Sequence, residues 1–215
     1  MTLTHHKRKL AILGAGVFAE EVADLASAGH DYEPVAFIEG IDADKCRRPL
    51  LGLPVVWIGD AGQLASSCQA VCAVGTPKRD TFIQQAVEHG LAFATVVHPS
   101  ASIFPTASIG VGTIVSAAVV IAAHARIAQH VIVNRGCLIG HHAAIGDFAT
   151  ICPGANIAGR AQIGDRCFVG MGAIVLDGVA VGSGAVVGAG AVVTRDVPEG
   201  VQVVGLPARI VKELC

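Results

Sequence analysis

Histidines in the second half of the sequence are the residues best suited to proton transfer or metal binding. His124, His130, His141 and His142 lie in one regular stretch, and His124 and His142 are 18 residues apart. An unperturbed imidazole titrates near pH 6.5, so it can take up or release a proton at neutral pH, and it is also a common zinc ligand. Whether these histidines can act together in proton transfer or metal binding depends on the secondary-structure elements that position them.

Glycine-rich turns in the first half form a second group of residues that could do chemistry. Gly14-Ala15-Gly16 follows an apolar run and precedes a helix-like segment, 17–28. Glycines let the backbone approach a phosphate, and a helix N-terminus offers free N–H groups. The spacing G-x-G-x-x-A, with Glu39 about twenty residues further on, resembles a dinucleotide-binding fingerprint. A tight strand-to-helix turn without a ligand has the same spacing, so both interpretations stay open.

A six-residue repeat from Val97 to Pro198 positions the histidines. Ile or Val occupies the first place in seventeen consecutive hexads, and a small or compact residue follows four positions later. Three short strands and three corners close a triangular coil of 18 residues, and successive coils stack at the strand spacing of about 4.8 Å. The repeat therefore predicts a parallel β-helix of nearly six coils. It also predicts that His142 lies one coil above His124.

Residues 1–96 are predicted to form a small α/β domain, since strands alternate with helices. The predicted strands are 7–13, 34–39, 55–58, 70–74 and 93–97, and the predicted helices are 17–28, 61–67 and 78–88. Ligands bind at the carboxyl ends of such parallel strands. That edge is expected to be lined by Gly14, Ala15, Gly16, Ile38, Glu39, Gly75, Thr76 and Pro77. Residues 97–215 are predicted to form the β-helix domain with a short C-terminal tail.

Composition and charge narrow the possible classes of protein. The net charge is −2, with 15 basic and 17 acidic side chains, which argues against nucleic acid or a membrane surface as partner. Mean hydropathy is +0.61. The nearly uncharged stretch 99–125 stays in the hexad phase, so we interpret it as solenoid core rather than a membrane span. Without a signal-peptide cleavage site or paired C-x-x-C spacing among seven cysteines, we expect a cytoplasmic protein.

Five motifs together resemble the sugar-nucleotide acetyltransferases. They are GAG at 14–16, AVGTPKR at 73–79, VVHPSA at 96–101, IGHHAAIGDF at 139–148 and GLPARIV at 205–211. This family includes the bacillosamine-pathway enzyme, the sialic acid O-acetyltransferase group and GDP-perosamine N-acetyltransferase. The resemblance implies a left-handed β-helix, a homotrimer, a nucleotide sugar bound by the N-terminal domain, acetyl-CoA along the coils, and no metal. It further implies N-acetylation of a 4-amino-4,6-dideoxy sugar, with GDP-perosamine preferred, in surface polysaccharide (O-antigen or lipopolysaccharide) biosynthesis.

The implied reaction, attack of an amine on a thioester, needs a proton acceptor and donors for the developing oxyanion. The resemblance assigns the proton acceptor to His141. Adding 18 places Gly159 one coil above it, where its N–H can face the thioester oxygen. His142 stands where the family has Asp or Glu, so we expect His142→Asp to raise kcat/KM. Val17 and Phe18 replace the family's Gly-His pair, and Phe18 is expected to pack against the base or sugar.

Residues for acetyl-CoA follow from the same coil register and from the resemblance. We expect small corner residues to flank the pantetheine, an asparagine at a corner to bond its amide, and arginines to pair with its phosphates. The candidates are Asn156, Gly159, Arg160, Met171, Gly172, Ala189, Gly190 and Arg209.

Other functions remain open on the sequence. A UDP-linked 4-amino sugar or a sugar hydroxyl could be the acceptor. A zinc enzyme like the β-helix carbonic anhydrases would use three corner histidines, although their spacing here does not match. A non-catalytic nucleotide-sugar-binding protein is favoured by His142 in place of the family's acidic residue.

Overall fold

The structure, a computed structural model, describes residues 7–214. The chain divides into two compact units. The first runs to Gly75 and includes Arg79–Pro99, and the second contains Thr76–Lys78 and begins again at Ser100. Within the described residues, no helix is both long and apolar enough to cross a membrane.

The first unit is built on a four-stranded parallel sheet of order β3-β2-β1-β4. Its elements are β1 (Arg8–Leu13), α1 (Val17–Ala28), β2 (Tyr32–Glu39), β3 (Val55–Trp57), β4 (Gln69–Cys72), α2 (Asp80–Glu88) and β5 (Val96–Val97). Four consecutive fully buried residues, 10–13, explain why β1 is central, since a parallel strand is covered on both faces. The predicted α/β unit is therefore present.

Helix α1 has the bounds that the sequence predicts. It begins directly after Gly16 and ends before Gly29. Its buried residues recur at helical spacing on one face, which is the pattern of an amphipathic helix. They are Ala19, Val22, Ala23, Leu25 and Ala26.

Three predicted elements of this unit are wrong in type or extent. The predicted helix 61–67 is instead a 3₁₀ helix, Ile58–Leu64, and the two glycines within it disfavour an α-helix. The predicted helix 78–88 opens with a 3₁₀ turn, Pro77–Arg79, and is α-helical only as α2. Of the predicted strand 93–97 only β5 remains, because Phe93 makes a single bridge to Ala70 before the chain leaves the sheet.

The second unit consists of two-residue strands separated by corners. They are β6 (Ser102–Ile103), β7 (Ser108–Ile109), β8 (Ile114–Val115), β9 (Val120–Ile121), β10 (Arg126–Ile127), β11 (Ile132–Val133), β12 (Leu138–Ile139), β13 (Ala144–Ile145), β14 (Thr150–Ile151), β15 (Asn156–Ile157), β16 (Gln162–Ile163), β17 (Phe168–Val169), β18 (Ile174–Val175), β19 (Ala180–Val181), β20 (Val186–Val187) and β21 (Val192–Val193). An antiparallel hairpin, β22 (Val201–Val204) and β23 (Arg209–Glu213), follows them.

Every third strand pairs in parallel, which makes three faces. The first face is β7, β10, β13, β16 and β19; the second is β6, β9, β12, β15, β18 and β21; the third runs from β8 through β11, β14, β17 and β20 to the hairpin. Partners are 18 residues apart, as in Ile127 with Ile145 and Ile139 with Ile157. The predicted 18-residue coil of a left-handed β-helix is confirmed.

The inward aliphatic and small residues form one continuous core. Ile139, Ile157 and the inward alanines Ala143, Ala149 and Ala155 are almost fully buried, whereas Val97 at the start of the repeat is 36% exposed. Cys137 and Cys167 lie in this core, and burial raises the pKa of each thiol to about 11. They are packing residues, as the hexad phase predicts, and are largely protonated at neutral pH.

Glycines serve two different purposes at the corners. A Cβ on Gly140 would lie 2.5 Å from the Gly159 nitrogen, so glycine there permits close approach of the next coil. The left-handed backbone occurs instead at the second corner residue, for example Gly154 with φ of 69°. Backbone freedom is thus needed at the second corner position and not directly after each aliphatic residue.

Candidate active site

One corner of the β-helix gathers the predicted catalytic residues. It joins the second face to the first face, and we call it the histidine corner; its residue pairs are 123/124, 141/142, 159/160 and 177/178. Backbone hydrogen bonds connect the successive turns. The Arg160 N–H donates to the His141 carbonyl at 2.8 Å, and the His142 N–H donates to the Ala123 carbonyl at 3.0 Å. The coil register therefore places His141, His142 and Gly159 together.

Gly159 lies directly against the His141 ring. A Cβ built on Gly159 would be 2.7 Å from both Cε1 and Nε2 of His141, so only glycine leaves room for this ring position. Gly159 is buried, and its N–H donates to no acceptor within residues 7–214. An imidazole beside an unpaired backbone N–H is the pair of groups that acyl transfer requires.

His142 contacts a histidine on each of two sides. Its Nδ1 lies 3.3 Å from the His141 Nδ1, with the two rings nearly perpendicular at 82°. Its ring centroid lies 4.7 Å from that of His124 in the coil below. Desolvation, and then the positive charges of His124, His141, Arg126 and Arg160, lower the pKa of His142 below its usual value. The neutral imidazole is therefore favoured.

Arg160 forms an ion pair that the sequence did not reveal. Its guanidinium binds the carboxylate of Asp177, with Nε 3.1 Å from Oδ1. The side chains are 66% and 46% exposed, so the pair is largely solvated. Arg160 remains a candidate phosphate partner, but its guanidinium is already paired with Asp177, and a phosphate would have to share or replace that carboxylate.

The residues predicted to flank pantetheine lie at a different corner. Met171, Gly172, Ala189 and Gly190 stack in register, with the Gly190 N–H donating to the Met171 carbonyl at 2.8 Å. This glycine corner, 153/154, 171/172 and 189/190, joins the third face to the second face. Within one chain it lies at the opposite end of the second-face strands from His141. Its residues and His141 can flank one ligand only if the ligand crosses that face or a second copy supplies the glycine corner.

Asn156 and Arg209 are placed differently from each other. Asn156 belongs to β15 and is exposed on the second face, so the expectation of an asparagine at a corner is wrong. Its side chain lies between the two corners, where it can bond an extended ligand. Arg209 is exposed in β23, and its Nη1 donates to the Ala208 carbonyl. The structure does not place Arg209 at the histidine corner.

A groove of about 700 Å³ runs along the first face, and the corner residues that line it follow the first-face strands rather than belonging to the histidine corner. Its floor consists of small residues, including Ala144, Gly146, Gly164 and Ala180, and Arg126 stands on its wall. Arg126 also faces His142, and the sequence analysis did not single it out.

In the first unit, Gly14-Ala15-Gly16 forms the turn between β1 and α1. Gly14 has φ of 107°, and a Cβ there would lie 3.3 Å from the Ala73 carbonyl oxygen, so glycine is required. No side chain caps α1 at Gly16, and the first helical residue, Val17, is 86% exposed. Phe18 is half-buried. The helix N-terminus is thus open at the predicted edge.

Glu39 has a structural use that its predicted role did not include. Its side chain is 4% exposed, and Oε1 accepts from the backbone N–H groups of Gly40, Ile41 and Asp42. Oε2 lies 3.1 Å from Lys45 Nζ. Burial raises the pKa of this carboxyl, but these hydrogen bonds and Lys45 outweigh it and the pKa is lowered. The carboxylate organises the loop that follows β2.

The remaining predicted edge residues differ in accessibility. The Ile38 side chain is fully buried, and its carbonyl accepts from the Gly14 N–H at 2.7 Å, so it supports the turn. Gly75 and Thr76 are exposed, and Pro77 is half-buried. Exposure allows Gly75 and Thr76 to contact a ligand, whereas Ile38 is confined to a supporting role.

Asp177 is a partner that sequence reasoning could have included. Asp177 is one coil above Gly159, so the 18-residue arithmetic that identified Gly159 also reaches Asp177. No group of three or more His, Cys, Asp or Glu side chains in residues 7–214 is arranged to hold a metal ion. The three corner histidines therefore add no support to the zinc-enzyme interpretation.

Comparisons with known proteins identify the family. A family model described as the hexapeptide repeat of succinyl-transferase matches residues 160–195. A perosamine N-acetyltransferase mutant from Caulobacter crescentus, solved with CoA and GDP-perosamine, is 32% identical, with a TM-score of 0.89, over 95% of this chain and 97% of that chain. The acetyltransferase domain of PglB from Neisseria gonorrhoeae, solved with acetyl coenzyme A, is 32% identical, with a TM-score of 0.86, over 96% and 100%. WeeI from Acinetobacter baumannii is 28% identical, with a TM-score of 0.85, over 94% and 99%.

The chain belongs to the hexapeptide-repeat sugar N-acetyltransferases. A search of curated protein sequences finds no match. The predictions of this family, of its left-handed β-helix and of an acyltransferase are confirmed.

Proposed function

We propose that this enzyme transfers the acetyl group of acetyl-CoA to the 4-amino group of a nucleotide-linked 4-amino-4,6-dideoxyhexose, with GDP-perosamine as the preferred substrate. The observation that carries the proposal is the His141 ring edge packed against Gly159, whose N–H donates to no acceptor within residues 7–214. The relatives solved with CoA and GDP-perosamine, and with acetyl coenzyme A, support the choice of both substrates.

The two groups have complementary tasks in this reaction. The amine attacks the thioester carbonyl, the C–S bond breaks, and an amide and the CoA thiolate are formed. The proton that the amine loses passes by way of His141 to the thiolate, which gives the CoA thiol. His141 Nε2 accepts the proton that the amine loses, which contributes roughly 10²–10⁴-fold in rate. The Gly159 N–H donates to the oxygen on which negative charge develops.

The first unit is proposed to hold the nucleotide sugar. Its open α1 N-terminus at Gly16 offers N–H groups to a phosphate. Val17 and Phe18 present apolar surface to a base or sugar. Glu39 acts indirectly by fixing its loop.

A homotrimer is the proposed assembly, because the second face exposes an apolar stripe. Leu138 is 45% exposed, Ile174 37% and Leu176 41%, and Met171 at the adjoining glycine corner is 60% exposed. Contact between copies would cover this surface and could bring one copy's glycine corner to another's histidine corner, where both would flank acetyl-CoA. Sedimentation analysis measures the assembly directly, and a monomeric enzyme with full activity would contradict it.

A cytoplasmic role in surface polysaccharide synthesis is also proposed. The six cysteines of the described chain are free thiols, as expected in a reducing compartment. Activated nucleotide sugars are the precursors that such a pathway would consume.

The deciding experiment is a thiol-release assay with acetyl-CoA and a panel of GDP-, UDP- and dTDP-linked 4-amino sugars. We expect thiol release with GDP-perosamine and a product heavier by one acetyl group on nitrogen. The same panel with 4-hydroxy sugars tests O-acetylation. Preference for a UDP-linked amine would correct the nucleotide, and binding of a sugar nucleotide without thiol release would favour a non-catalytic binding protein.

A further inference from the structure

We propose that His142 is a positioning residue, a neutral imidazole that accepts a hydrogen bond from Nδ1–H of His141 and so replaces a carboxylate in the catalytic pair. The inference rests on the proposed function. It assigns this site an orienting group that carries no charge.

The distance between the two Nδ1 atoms, 3.3 Å, fits one shared proton. Because Cε1 and Nε2 of His141 lie against Gly159, the Nε2 lone pair is the one that faces the reacting groups. His141 must then carry its proton on Nδ1. The His142 Nδ1 must be unprotonated to accept it, which leaves the proton of His142 on Nε2.

The backbone holds His142 in this position. Its φ is 59°, in the left-handed region, and its N–H is tied to the Ala123 carbonyl at 3.0 Å. The His124 ring covers its other side at a centroid distance of 4.7 Å. The ring is therefore restrained by its own turn and by the coil below.

The charged and titratable groups around His142 favour its neutral form. His141 lies in the same turn, His124 in the coil below, Arg126 on the neighbouring first face, and Arg160 in the coil above. The charge of Arg160 is partly offset by Asp177. The positive charges of these two histidines and two arginines disfavour a proton on His142. The His142 imidazole therefore stays a hydrogen-bond acceptor at pH values where an isolated imidazole would begin to be charged.

A neutral acceptor has a different consequence from a carboxylate. A carboxylate stabilises the imidazolium that forms on His141, and therefore also favours premature protonation of the free enzyme. A neutral imidazole fixes the tautomer without that attraction. This arrangement gives less stabilisation of the imidazolium that forms on His141 during the reaction.

Four enzymes compared over pH test this role: wild type, His142→Ala, His142→Asn and His142→Asp. Loss of the acceptor in the Ala variant should lower kcat about tenfold or more, with KM for acetyl-CoA within twofold. Asn offers a neutral acceptor and should retain kcat within threefold. Asp should raise kcat/KM on the alkaline plateau and move the midpoint of the acidic limb up by about one pH unit.

Imidazole ¹⁵N NMR of the full-length protein separates this inference from the proposed function. We expect His141 protonated on Nδ1 in the wild type and shifted towards the Nε2–H tautomer in His142→Ala. A wild-type Nε2–H tautomer, or an active Ala variant with unchanged kcat and pH profile, would overturn the inference. Absence of acetyl transfer by wild type to every sugar would instead refute the proposed function, while the NMR result still decides the hydrogen bond.

Discussion

The histidine corner and the glycine corner have the same backbone and different chemistry. Both are two-residue corners that repeat every 18 residues, and both have a left-handed second residue. At the glycine corner this residue is glycine in successive coils, with φ of 69° at Gly154, 64° at Gly172 and 65° at Gly190. At the histidine corner it is His124 with φ of 60°, His142 with 59° and Arg160 with 58°, and it is glycine only in the next coil, at Gly178 with 70°.

The residue type at the second corner position affects stability. A left-handed conformation costs a residue with a Cβ roughly 1–2 kcal/mol relative to its right-handed alternative, and glycine avoids that cost. The coil tolerates either type, so stability alone would favour glycine at both corners. Left-handed residues with side chains also occur at the remaining corner, as at Phe148 and Arg166, so the strain alone does not mark the histidine corner as functional. Its functional mark is the contact of the His141 ring with Gly159.

The largest expected effect tests whether the chemistry belongs to the histidine corner alone. His141→Ala removes the proton acceptor and should lower kcat by about 10²–10⁴-fold. Met171→Ala at the glycine corner should raise KM for acetyl-CoA a few-fold and leave kcat within about twofold. Steady-state kinetics with both substrates measures the split. If His141→Ala and Met171→Ala lowered kcat equally, the claim that the chemistry belongs to the histidine corner alone would be contradicted.

Gly159→Ala sharpens the role of the coil above His141. Its methyl group would meet the His141 ring at 2.7 Å, which displaces the ring and crowds the oxyanion site. We expect kcat to fall about 100-fold, the size typical of a lost oxyanion donor. Gly136→Ala is the control, with φ of 69° and open space around its Cβ. It should lose about 1 kcal/mol of stability and keep its kcat.

His142→Gly turns the histidine corner into a glycine corner at one position. Relief of the left-handed strain should raise the free energy of unfolding by about 1 kcal/mol, partly offset by the lost contact with His124. Activity should fall about tenfold, as for the Ala variant. Urea denaturation and kinetics on the same sample measure both. A variant that is less stable than wild type would show that ring contacts outweigh backbone strain.

Glu39→Gln tests whether the carboxylate of the first unit is structural. The lowered pKa means that the ionised carboxyl stabilises the fold above the pKa of the unfolded chain, and that this stability is lost as pH falls through the folded pKa. The variant should lose about 1–2 kcal/mol at pH 7, and the difference should shrink on acidification. Denaturation at pH 7 and below pH 4 checks it, and a constant difference would contradict the electrostatic cause.

The smallest expected effect concerns the ion pair beside the active site. Asp177→Asn breaks an exposed pair, so the free energy of unfolding should change by less than about 1 kcal/mol. Arg160 released from Asp177 should bind acetyl-CoA at least as well, which a KM measurement tests. A loss of several kcal/mol would mean that the pair carries the stacking of the coils at this corner.

The repeat allowed much of the coil to be predicted from sequence, because each hexad constrains the next. Once the period is set at 18, the juxtaposition of His141 with Gly159 and of His142 with His124 follows by arithmetic. The position of Asn156 on a face rather than a corner follows from the same count, so that error was avoidable.

Side-chain arrangement and short elements could not be predicted in the same way. The ring orientations of His141 and His142 depend on rotamers that no periodicity specifies. The hydrogen bonds of Glu39 to its own loop depend on a turn conformation, and no sequence repeat predicts that conformation. The 3₁₀ helix Ile58–Leu64 is set by local glycines and packing in the first unit, which has no coil register to guide prediction.

The most direct test of the central claim is a structure of the enzyme with a non-hydrolysable acetyl-CoA analogue. The claim that His141 and Gly159 form the reaction centre predicts the acyl oxygen about 2.7–3.1 Å from the Gly159 nitrogen, with His141 Nε2 facing the acyl carbon. An acyl group bound away from the histidine corner, with the Gly159 N–H directed elsewhere, would contradict it.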